Sequence, residues 1–172
     1  MASKLGSVLG SFVFFWIAPG TVAGWVPYAL SRWRMQPPLL GVASLRIVGG
    51  VLATMGVAGL VECFARFAIT GRGTPAPIAP PERLVVSGFY RYVRNPMYVF
   101  VLAAITGQAL LLGNSVLLEY AGVVWLLFHG FVLVYEEPIL RRQFGPSYEA
   151  YRKHVPRWFP RLTPWLVPKE MA

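Results

Sequence analysis

Long apolar stretches occupy most of this chain, and short polar connections separate them. The four stretches run over Leu5–Leu30, Val42–Ile69, Pro96–Leu112 and Val116–Tyr135. A helix of about 20 apolar residues is long enough to cross a bilayer. The pattern therefore predicts an all-α integral membrane protein with four transmembrane helices, the third of which is short and has little tilt.

The third and fourth spans are separated by only Gly113, Asn114 and Ser115. So short a connection predicts a tight antiparallel helical hairpin. The hairpin would return the end of the fourth span, at Glu136 and Glu137, to the membrane depth at which the third span begins.

Two further segments complete the predicted architecture. Residues 71–94 form the one long connection, and the prolines at 75, 77, 80 and 81 exclude a regular helix there. The C-terminal stretch has an apolar face opposite Arg152 and Lys153, made by Phe144, Tyr148, Tyr151 and Val155. This pattern predicts an interfacial amphipathic helix after a break at Gly145-Pro146.

We divide the chain at the end of the second span. Residues 1–70 would form two N-terminal transmembrane helices. Residues 71–172 would form a core made of the long connection, the helical hairpin and a cytoplasmic C-terminal helix.

Composition agrees with a membrane protein. Of the 172 residues, 56% are hydrophobic and 13% are charged, whereas about a quarter is usual for the charged fraction of soluble proteins. The net charge of +9 could indicate nucleic-acid binding or the excess of cationic residues typical of cytoplasmic connections.

The distribution of the cationic residues decides between these two interpretations. With four spans, the termini and the long connection share one side, and the opposite side holds Arg32 and Arg34. The shared side holds Lys4, Arg72, Arg83, Arg91, Arg94, Arg141, Arg142, Arg152, Lys153, Arg157, Arg161 and Lys169. The pattern predicts a multi-pass protein of the cytoplasmic membrane with both termini in the cytoplasm, whose partner is the lipid bilayer and not nucleic acid.

The second span contains the single cysteine and a pair of opposite charges. Cys63 has no neighbours at metal-ligand spacing, so we expect a packing residue and no metal site. Glu62 and Arg66 are four residues apart, the favourable order for a helical ion pair. The pair could be structural or could line a functional site.

Polar residues are concentrated where the third span begins. Asn95 and Pro96 are typical of a helix N-cap and first turn. The free amide groups of a helix start are partly positive, and Arg91 and Arg94 add full charges next to them. We therefore expect an anion-binding pocket at this boundary of the membrane.

The fourth span ends in two adjacent carboxylates, Glu136 and Glu137. At a helix C-terminus, which is partly negative, they need a cationic partner. The candidates are a ligand and Arg91, Arg94, Arg141 and Arg142. His129 lies seven residues before Glu136 and so shares its helix face.

Three linked motifs resemble one family. The stretches LVVSGFYRYVRNPMY, EEPIL and FGPSYEAYRKHVPRWFP, within Gly73–Pro160, resemble the isoprenylcysteine carboxyl methyltransferase family and its phospholipid methyltransferase relatives. Members of that family are integral-membrane enzymes that use S-adenosylmethionine. The first two spans show no resemblance beyond being membrane helices.

The resemblance also implies a cofactor site. The matching positions are Leu84, Val85, Tyr90, Arg94, Asn95, Pro96, Met97, Tyr98, Glu136 and Glu137. This chain departs from the family at two places. Asn95 stands where many members have histidine, and Val132 stands where prenylcysteine enzymes can have a substrate-binding arginine.

The expected activity is methyl transfer from S-adenosylmethionine, with S-adenosylhomocysteine as product, to an amphiphilic or lipid-like acceptor. The acceptor would be a prenylcysteine-type carboxylate, or a lipid amine or thiol. An amine or thiol would benefit from a general base, for which His129 is the candidate. Two other hypotheses remain: an NADPH-dependent membrane sterol or enone reductase, and a non-enzymatic membrane scaffold.

Overall fold

The structure is a computed structural model that describes residues 17–70 and 84–166, with the backbone alone for residues 67–70. The predicted first span is thus described from residue 17 onward, and residues 71–83 of the predicted proline-rich loop lie outside the described residues. Within these two ranges the chain is helical and contains no strand, in agreement with the predicted all-α class. The five α-helices are α1 (Val26–Ser31), α2 (Ser44–Thr70), α3 (Pro96–Leu112), α4 (Ser115–Phe131) and α5 (Glu137–His154).

Two helical stretches of the described chain are long and apolar enough to cross a membrane. They are Ser44–Arg66, with 23 residues, and Ser115–His154, with 40 residues, and both have a mean hydropathy of 1.9. Helix α3 is a shorter apolar helix of 17 residues.

Helices α2 and α3 run antiparallel and approach closely through small residues. A Cβ atom added to Gly49 would clash with the Leu111 backbone nitrogen, and one added to Gly56 would lie 2.6 Å from that of Ala104. From the other side, a Cβ on Gly107 would clash with the Ala53 backbone nitrogen. Such contacts between backbones are the usual basis of helix association where no hydrophobic driving force operates.

We expect Gly56→Ala to destabilise the fold by about 1–3 kcal/mol, the usual cost of an overpacked core, because the added methyl group meets backbone that cannot move aside. Gly122→Ala is the matched control, since no heavy atom of the described chain outside its own helix lies within 4 Å of a Cβ there. Thermal unfolding in detergent measures both variants. Equal midpoints would show that α2 and α3 are not in contact at Gly56.

The predicted hairpin between α3 and α4 is present. Gly113 ends α3 with a φ of 72°, a conformation that glycine adopts without steric cost. Asn114 then caps α4 by accepting a hydrogen bond from the Leu117 backbone nitrogen at 3.2 Å. Buried Val101 and Ile105 pack with Val124 of the returning helix.

The N-terminal helical segment packs against this hairpin. Gln108 donates to the Ala23 carbonyl at 2.7 Å, and the Tyr120 hydroxyl donates to the Val22 carbonyl at 2.9 Å. The connection that follows α1 lies at the hairpin turn, where the Gln36 backbone nitrogen donates to the Leu112 carbonyl at 2.8 Å. The start of α3 and the end of α4 therefore share the opposite end of the bundle.

The helix that contains the fourth predicted span continues beyond Tyr135. A π-helical turn, Val132–Glu136, joins α4 to α5, so the predicted helix end at Glu136 and Glu137 is wrong and both carboxylates lie within a continuous helical stretch. The physical reason is Pro138, which has no N–H group and whose ring would clash with a carbonyl of the preceding turn of an α-helix. A wider turn relieves this conflict without ending the helix. A π turn also comes just before a proline near the N-terminus, where Thr21–Trp25 precedes Pro27.

Helix α5 kinks at Gly145, whose φ and ψ are 46° and −121°, as the Gly145-Pro146 break predicted. Its apolar face does not lie free for lipid, however. Tyr148, Tyr151 and Val155 are buried together with Trp165, and Leu84, Val86, Leu140 and Phe144 pack against them. The interfacial helix was predicted from one face of one helix, but the chain after residue 155 folds back and covers that face.

Candidate functional site

The candidate site lies where α3 begins and α4 passes into α5. The chain after α5, residues 155–166, crosses this region and is called the tail segment below. Main-chain hydrogen bonds hold it in place: the Arg94 nitrogen donates to the Pro156 carbonyl at 2.9 Å, and the Arg161 nitrogen donates to the Tyr92 carbonyl at 3.0 Å. Trp165 donates in the same way to the Arg91 carbonyl at 2.9 Å. Backbone geometry thus fixes which tail side chains reach the site.

Glu137 is the centre of an ion-pair network. Arg157 makes two hydrogen bonds to it, from Nε to Oε1 at 2.7 Å and from a terminal nitrogen to Oε2 at 3.1 Å. Arg94 donates to Oε1 at 3.0 Å, and Arg141 lies 3.7 Å from Oε2. The glutamate is only 3% exposed, so three guanidinium groups balance a buried carboxylate.

These contacts change the acid–base properties of the pair. Burial by itself raises the pKa of Glu137, but the hydrogen bond from Arg157 and the charges of Arg94, Arg157 and Arg141 outweigh burial and hold the pKa below its ordinary value. The hydrogen bond to Glu137 raises the pKa of Arg157. Glu137 is therefore an ionised structural anchor that ties α5 to α3 and to the tail segment.

The neighbouring Glu136 has a different environment. The Tyr98 hydroxyl donates to its Oε2 at 2.9 Å, and this is its one hydrogen-bond partner in the described part of the chain. No cation balances its charge there, although Glu136 is half-buried. Burial raises the pKa of Glu136, which the hydrogen bond from Tyr98 partly opposes. A carboxylate in this state favours the binding of a cation.

Aromatic rings pack around Tyr98, the residue that donates to Glu136. The Tyr98 ring centre lies 4.5 Å from that of Phe128 and 6.4 Å from that of Trp158. His129 lies 5.9 Å from Trp158. These four residues, which we call the aromatic cluster, are all half-buried. Aromatic faces next to a carboxylate attract organic cations, including sulfonium and quaternary ammonium groups.

The geometry at His129 does not favour the predicted role of general base. The Trp158 indole N–H donates to His129 Nδ1 at 3.0 Å. An imidazole that accepts at Nδ1 has its proton on Nε2 when it is neutral, so neither nitrogen has a free lone pair while this hydrogen bond persists. The histidine is instead part of the contact between α4 and the tail segment.

Asn95 occupies the predicted N-cap position of α3, but its side chain makes no capping hydrogen bond. Its Nδ2 donates to the Arg157 carbonyl at 3.2 Å, so the expectation of a side-chain cap is wrong. The tail segment takes this side chain away from the helix start. Pro96 is the first residue of α3, as predicted, and is buried.

The other predicted cofactor residues lie on apolar surfaces near the network. Val85 and Tyr90 are buried together with Cys63, and Met97 packs against that cluster. Leu84 packs against the buried aromatic residues of α5 and the tail segment. Cys63 is fully buried, which fits its predicted packing role. Arg94, Tyr98, Glu136, Glu137 and His129 thus form the polar part of the site.

Sequence reasoning missed two residues of this site, Arg157 and Trp158. Their signal was present in the tail, where an arginine and an aromatic residue stand between two prolines at 156 and 160. Prolines restrict the backbone on both sides, so such side chains have a fixed direction. Val132, where relatives can have an arginine, is fully buried and makes no contribution to the polar surface.

Comparison with known proteins gives one family match. The family described as phospholipid methyltransferase matches residues 45–147, which cover α2, the hairpin and the first half of α5. No solved structure matches the chain.

Several curated proteins are similar to parts of this chain. The protein-S-isoprenylcysteine O-methyltransferase of Schizosaccharomyces pombe is 44% identical over 80 residues, which cover 46% of this chain and 34% of that protein. The nickel-cobalt-cadmium resistance protein NccN of Alcaligenes xylosoxydans xylosoxydans is 29% identical over 121 residues, or 70% of this chain and 52% of that protein. Protein-S-isoprenylcysteine O-methyltransferase B of Arabidopsis thaliana is 34% identical over 80 residues, or 46% of this chain and 40% of that protein. The chain therefore spans between about a third and half of the length of these relatives.

Among the residues that the structure describes, no three His, Cys, Asp or Glu side chains come close enough together to hold a metal ion.

Proposed function

We propose that this chain, which belongs to the phospholipid methyltransferase family, is an integral-membrane methyltransferase. It transfers a methyl group from S-adenosylmethionine to an amphiphilic or lipid-like acceptor and releases S-adenosylhomocysteine. The acceptor is a prenylcysteine-type carboxylate, or a lipid amine or thiol.

The observation that supports this activity most directly is that the adjacent residues Glu136 and Glu137 have different environments. Glu137 is neutralised by three arginines, whereas Glu136 has the Tyr98 hydroxyl as its hydrogen-bond partner and stands beside the aromatic cluster. A scaffold needs only the first arrangement, because a half-buried carboxylate without a cation reduces stability. The second arrangement fits a ligand with a positive charge. S-adenosylmethionine has two such charges, on its sulfonium and its ammonium group.

The same region offers partners for the carboxylate of this cofactor. The Nε atom of Arg94 is buried and has no hydrogen-bond partner in the described ranges, and the start of α3 lies next to it. Helix starts and guanidinium groups both favour carboxylates. Leu84, Val85, Tyr90, Pro96 and Met97 would supply the apolar surface near the adenosine part, and Asn95 would support this surface through the tail segment.

S-adenosylmethionine supplies an electrophilic methyl group on a positively charged sulfur. Glu136, Tyr98 and the aromatic cluster would hold that charge and fix its position relative to the acceptor. Trp158 and the tail segment would keep water away from the reacting atoms. A carboxylate acceptor needs no base. An amine or thiol acceptor would have to lose its proton to water or to a group other than His129 as it is hydrogen-bonded here.

We further propose the arrangement in the membrane. Residues 1–70 supply two spans, and residues 71–172 supply the methyltransferase core with the hairpin. The site end of the bundle faces the cytoplasm, because Arg91, Arg94, Arg141, Arg157 and Arg161 all lie near that end. Both termini are cytoplasmic in this arrangement. The cofactor then enters from the cytoplasm and the acceptor from the bilayer.

A binding titration on the purified protein in detergent tests this function. The methyltransferase is expected to bind S-adenosylmethionine and S-adenosylhomocysteine and not NADPH. A membrane reductase would bind NADPH, and a scaffold would bind none of the three, so either result would refute the assignment. A labelled methyl group followed into lipid extracts then identifies the acceptor.

A further inference from the structure

A cavity lies outside the candidate site, where α2 meets the chain before α3. Its volume is about 610 Å³, which is in the range of small-molecule sites. Its lining includes Glu62, Arg66, Ser87, Phe89, Arg91 and Leu166. None of these is among the predicted cofactor residues, and neither Glu136 nor Glu137 reaches it.

Two guanidinium groups, those of Arg66 and Arg91, line the cavity and use only part of their hydrogen-bonding capacity. Arg66 pairs with Glu62 through its Nε atom, as the helical spacing predicted. Arg91 donates from Nε to the Trp165 carbonyl at 2.8 Å. The terminal nitrogens of both guanidinium groups have no partner in the described chain. Two guanidinium groups with free terminal donors are well suited to a phosphate.

Two acceptor atoms in the same cavity also lack partners. Glu62 Oε2 and Ser87 Oγ are buried and make no hydrogen bond in the described ranges. A buried carboxylate oxygen without a donor is unfavourable, so a ligand that supplies one stabilises this end of α2. The ligand should therefore have a hydrogen-bond donor in addition to its acidic group.

The walls of the cavity are apolar. Phe89 is 39% exposed and Leu166 is 75% exposed, and Val86 lies beside them. The cavity also lies where α2 completes its apolar stretch at Arg66, which is the depth of lipid headgroups in the membrane arrangement proposed above. A water-soluble phosphate would leave these walls uncovered, whereas the glycerol and acyl chains of a lipid would cover them.

We propose that this cavity binds the headgroup of a membrane phospholipid that has a donor beyond its phosphate, either an amine or a hydroxyl. The phosphate contacts Arg66 and Arg91, and the donor contacts Glu62 and Ser87. This site is independent of the cofactor. Basic pockets at the cytoplasmic ends of transmembrane helices are known to bind acidic headgroups in this way.

Retention of lipid by the full-length protein tests the proposal. The detergent-purified protein is mixed with equal amounts of phosphatidylethanolamine and phosphatidylcholine, and the retained lipid is measured by mass spectrometry of the intact complex. These two lipids have the same net charge, and their headgroups differ mainly in the amine hydrogens. We expect phosphatidylethanolamine to be retained in excess, and Glu62→Gln to remove that excess.

Arg66→Gln is expected to lower the retention of both lipids by about tenfold or more, as the loss of one charge-assisted hydrogen bond predicts. Arg152→Gln is the matched control, because it removes the same charge at an exposed pair with Glu149. Equal retention by the two arginine variants would overturn the site. Displacement of the lipid by an equal concentration of soluble phosphoethanolamine would overturn its assignment to a lipid.

Discussion

Replacing Glu136 with glutamine is expected to lower the affinity for S-adenosylmethionine by more than tenfold without lowering the thermal unfolding midpoint. Glutamine keeps the shape of the side chain and can still accept the hydrogen bond from Tyr98. It removes the negative charge that no described cation balances. A tenfold loss corresponds to about 1.4 kcal/mol, which is modest for a charged contact in a half-buried site.

The dependence of binding on pH gives the same prediction a second test. Because burial raises the pKa of Glu136, the carboxyl group becomes protonated while the pH is still above the ordinary range for glutamate. Affinity for the cationic cofactor should therefore fall as the pH is lowered from neutrality. In the glutamine variant this fall should be absent.

Glu119→Gln is the control for Glu136→Gln, since Glu119 is exposed in the first turns of α4 at the opposite end of the bundle. Isothermal titration with S-adenosylmethionine compares the two variants. If both bind as tightly as the unchanged protein, Glu136 does not contact the cofactor. A parallel titration with S-adenosylhomocysteine, which has no sulfonium charge, should show a smaller loss.

Replacing Glu137 with glutamine is expected to destabilise the fold, by about 3 kcal/mol, the lower end of the range for a broken buried ion pair. The change leaves Arg94 buried without its anion, and its side chain is only 8% exposed. Arg157 and Arg141 are partly exposed, at 27% and 44%, and can turn toward water. This partial relief is the reason for choosing the lower end of the range.

The stabilisation by Glu137 should also depend on pH. Its pKa in the folded protein lies below the ordinary value, so the stabilisation is complete above the ordinary carboxyl pKa and is lost as the pH falls through the folded-state value. Thermal unfolding in detergent at several pH values measures this loss.

Glu149→Gln provides the comparison for Glu137→Gln on the same helix. Glu149 pairs with Arg141 and Arg152, but its side chain is 40% exposed, and exposed pairs contribute about 0–1 kcal/mol. A loss of stability in Glu137→Gln no larger than in Glu149→Gln would show that the buried network does not support the fold. Together, the variants at 136 and 137 separate a binding role from a structural role at adjacent positions.

The sequence could not separate these two roles. It placed Glu136 and Glu137 together at a helix end and assigned both to the cofactor. Arg157, which makes two of the hydrogen bonds to Glu137, comes from a tail whose path depends on main-chain contacts with residues 91–94. Such contacts leave no periodic pattern in a sequence, because they join backbone groups that every residue has.

Local sequence patterns predicted many other features of the fold. The apolar stretches, the glycine and asparagine between α3 and α4, and the Glu62–Arg66 spacing each predicted a feature that the structure contains. These signals work because each depends on residues close in sequence, whose geometry the helix itself fixes.

Two errors have a common cause. The fourth helix was predicted to end at Glu136 and Glu137, and Asn95, which does occupy the N-cap position of α3, was expected to cap that helix with its side chain. Both expectations treat a helix in isolation. In the folded chain a π turn accommodates the proline, and the carbonyl of Arg157 takes the hydrogen bond of the asparagine.

The sequence by itself determined the helical class, the hairpin, the family and the end of the bundle at which polar chemistry collects. The tertiary structure alone decided which acid is neutralised, what holds His129, and that the tail segment covers the start of α3. The physical reason is the range of the interactions. Periodicity and capping act within a few residues, whereas the charge balance at Glu137 depends on guanidinium groups up to 43 positions away in the chain.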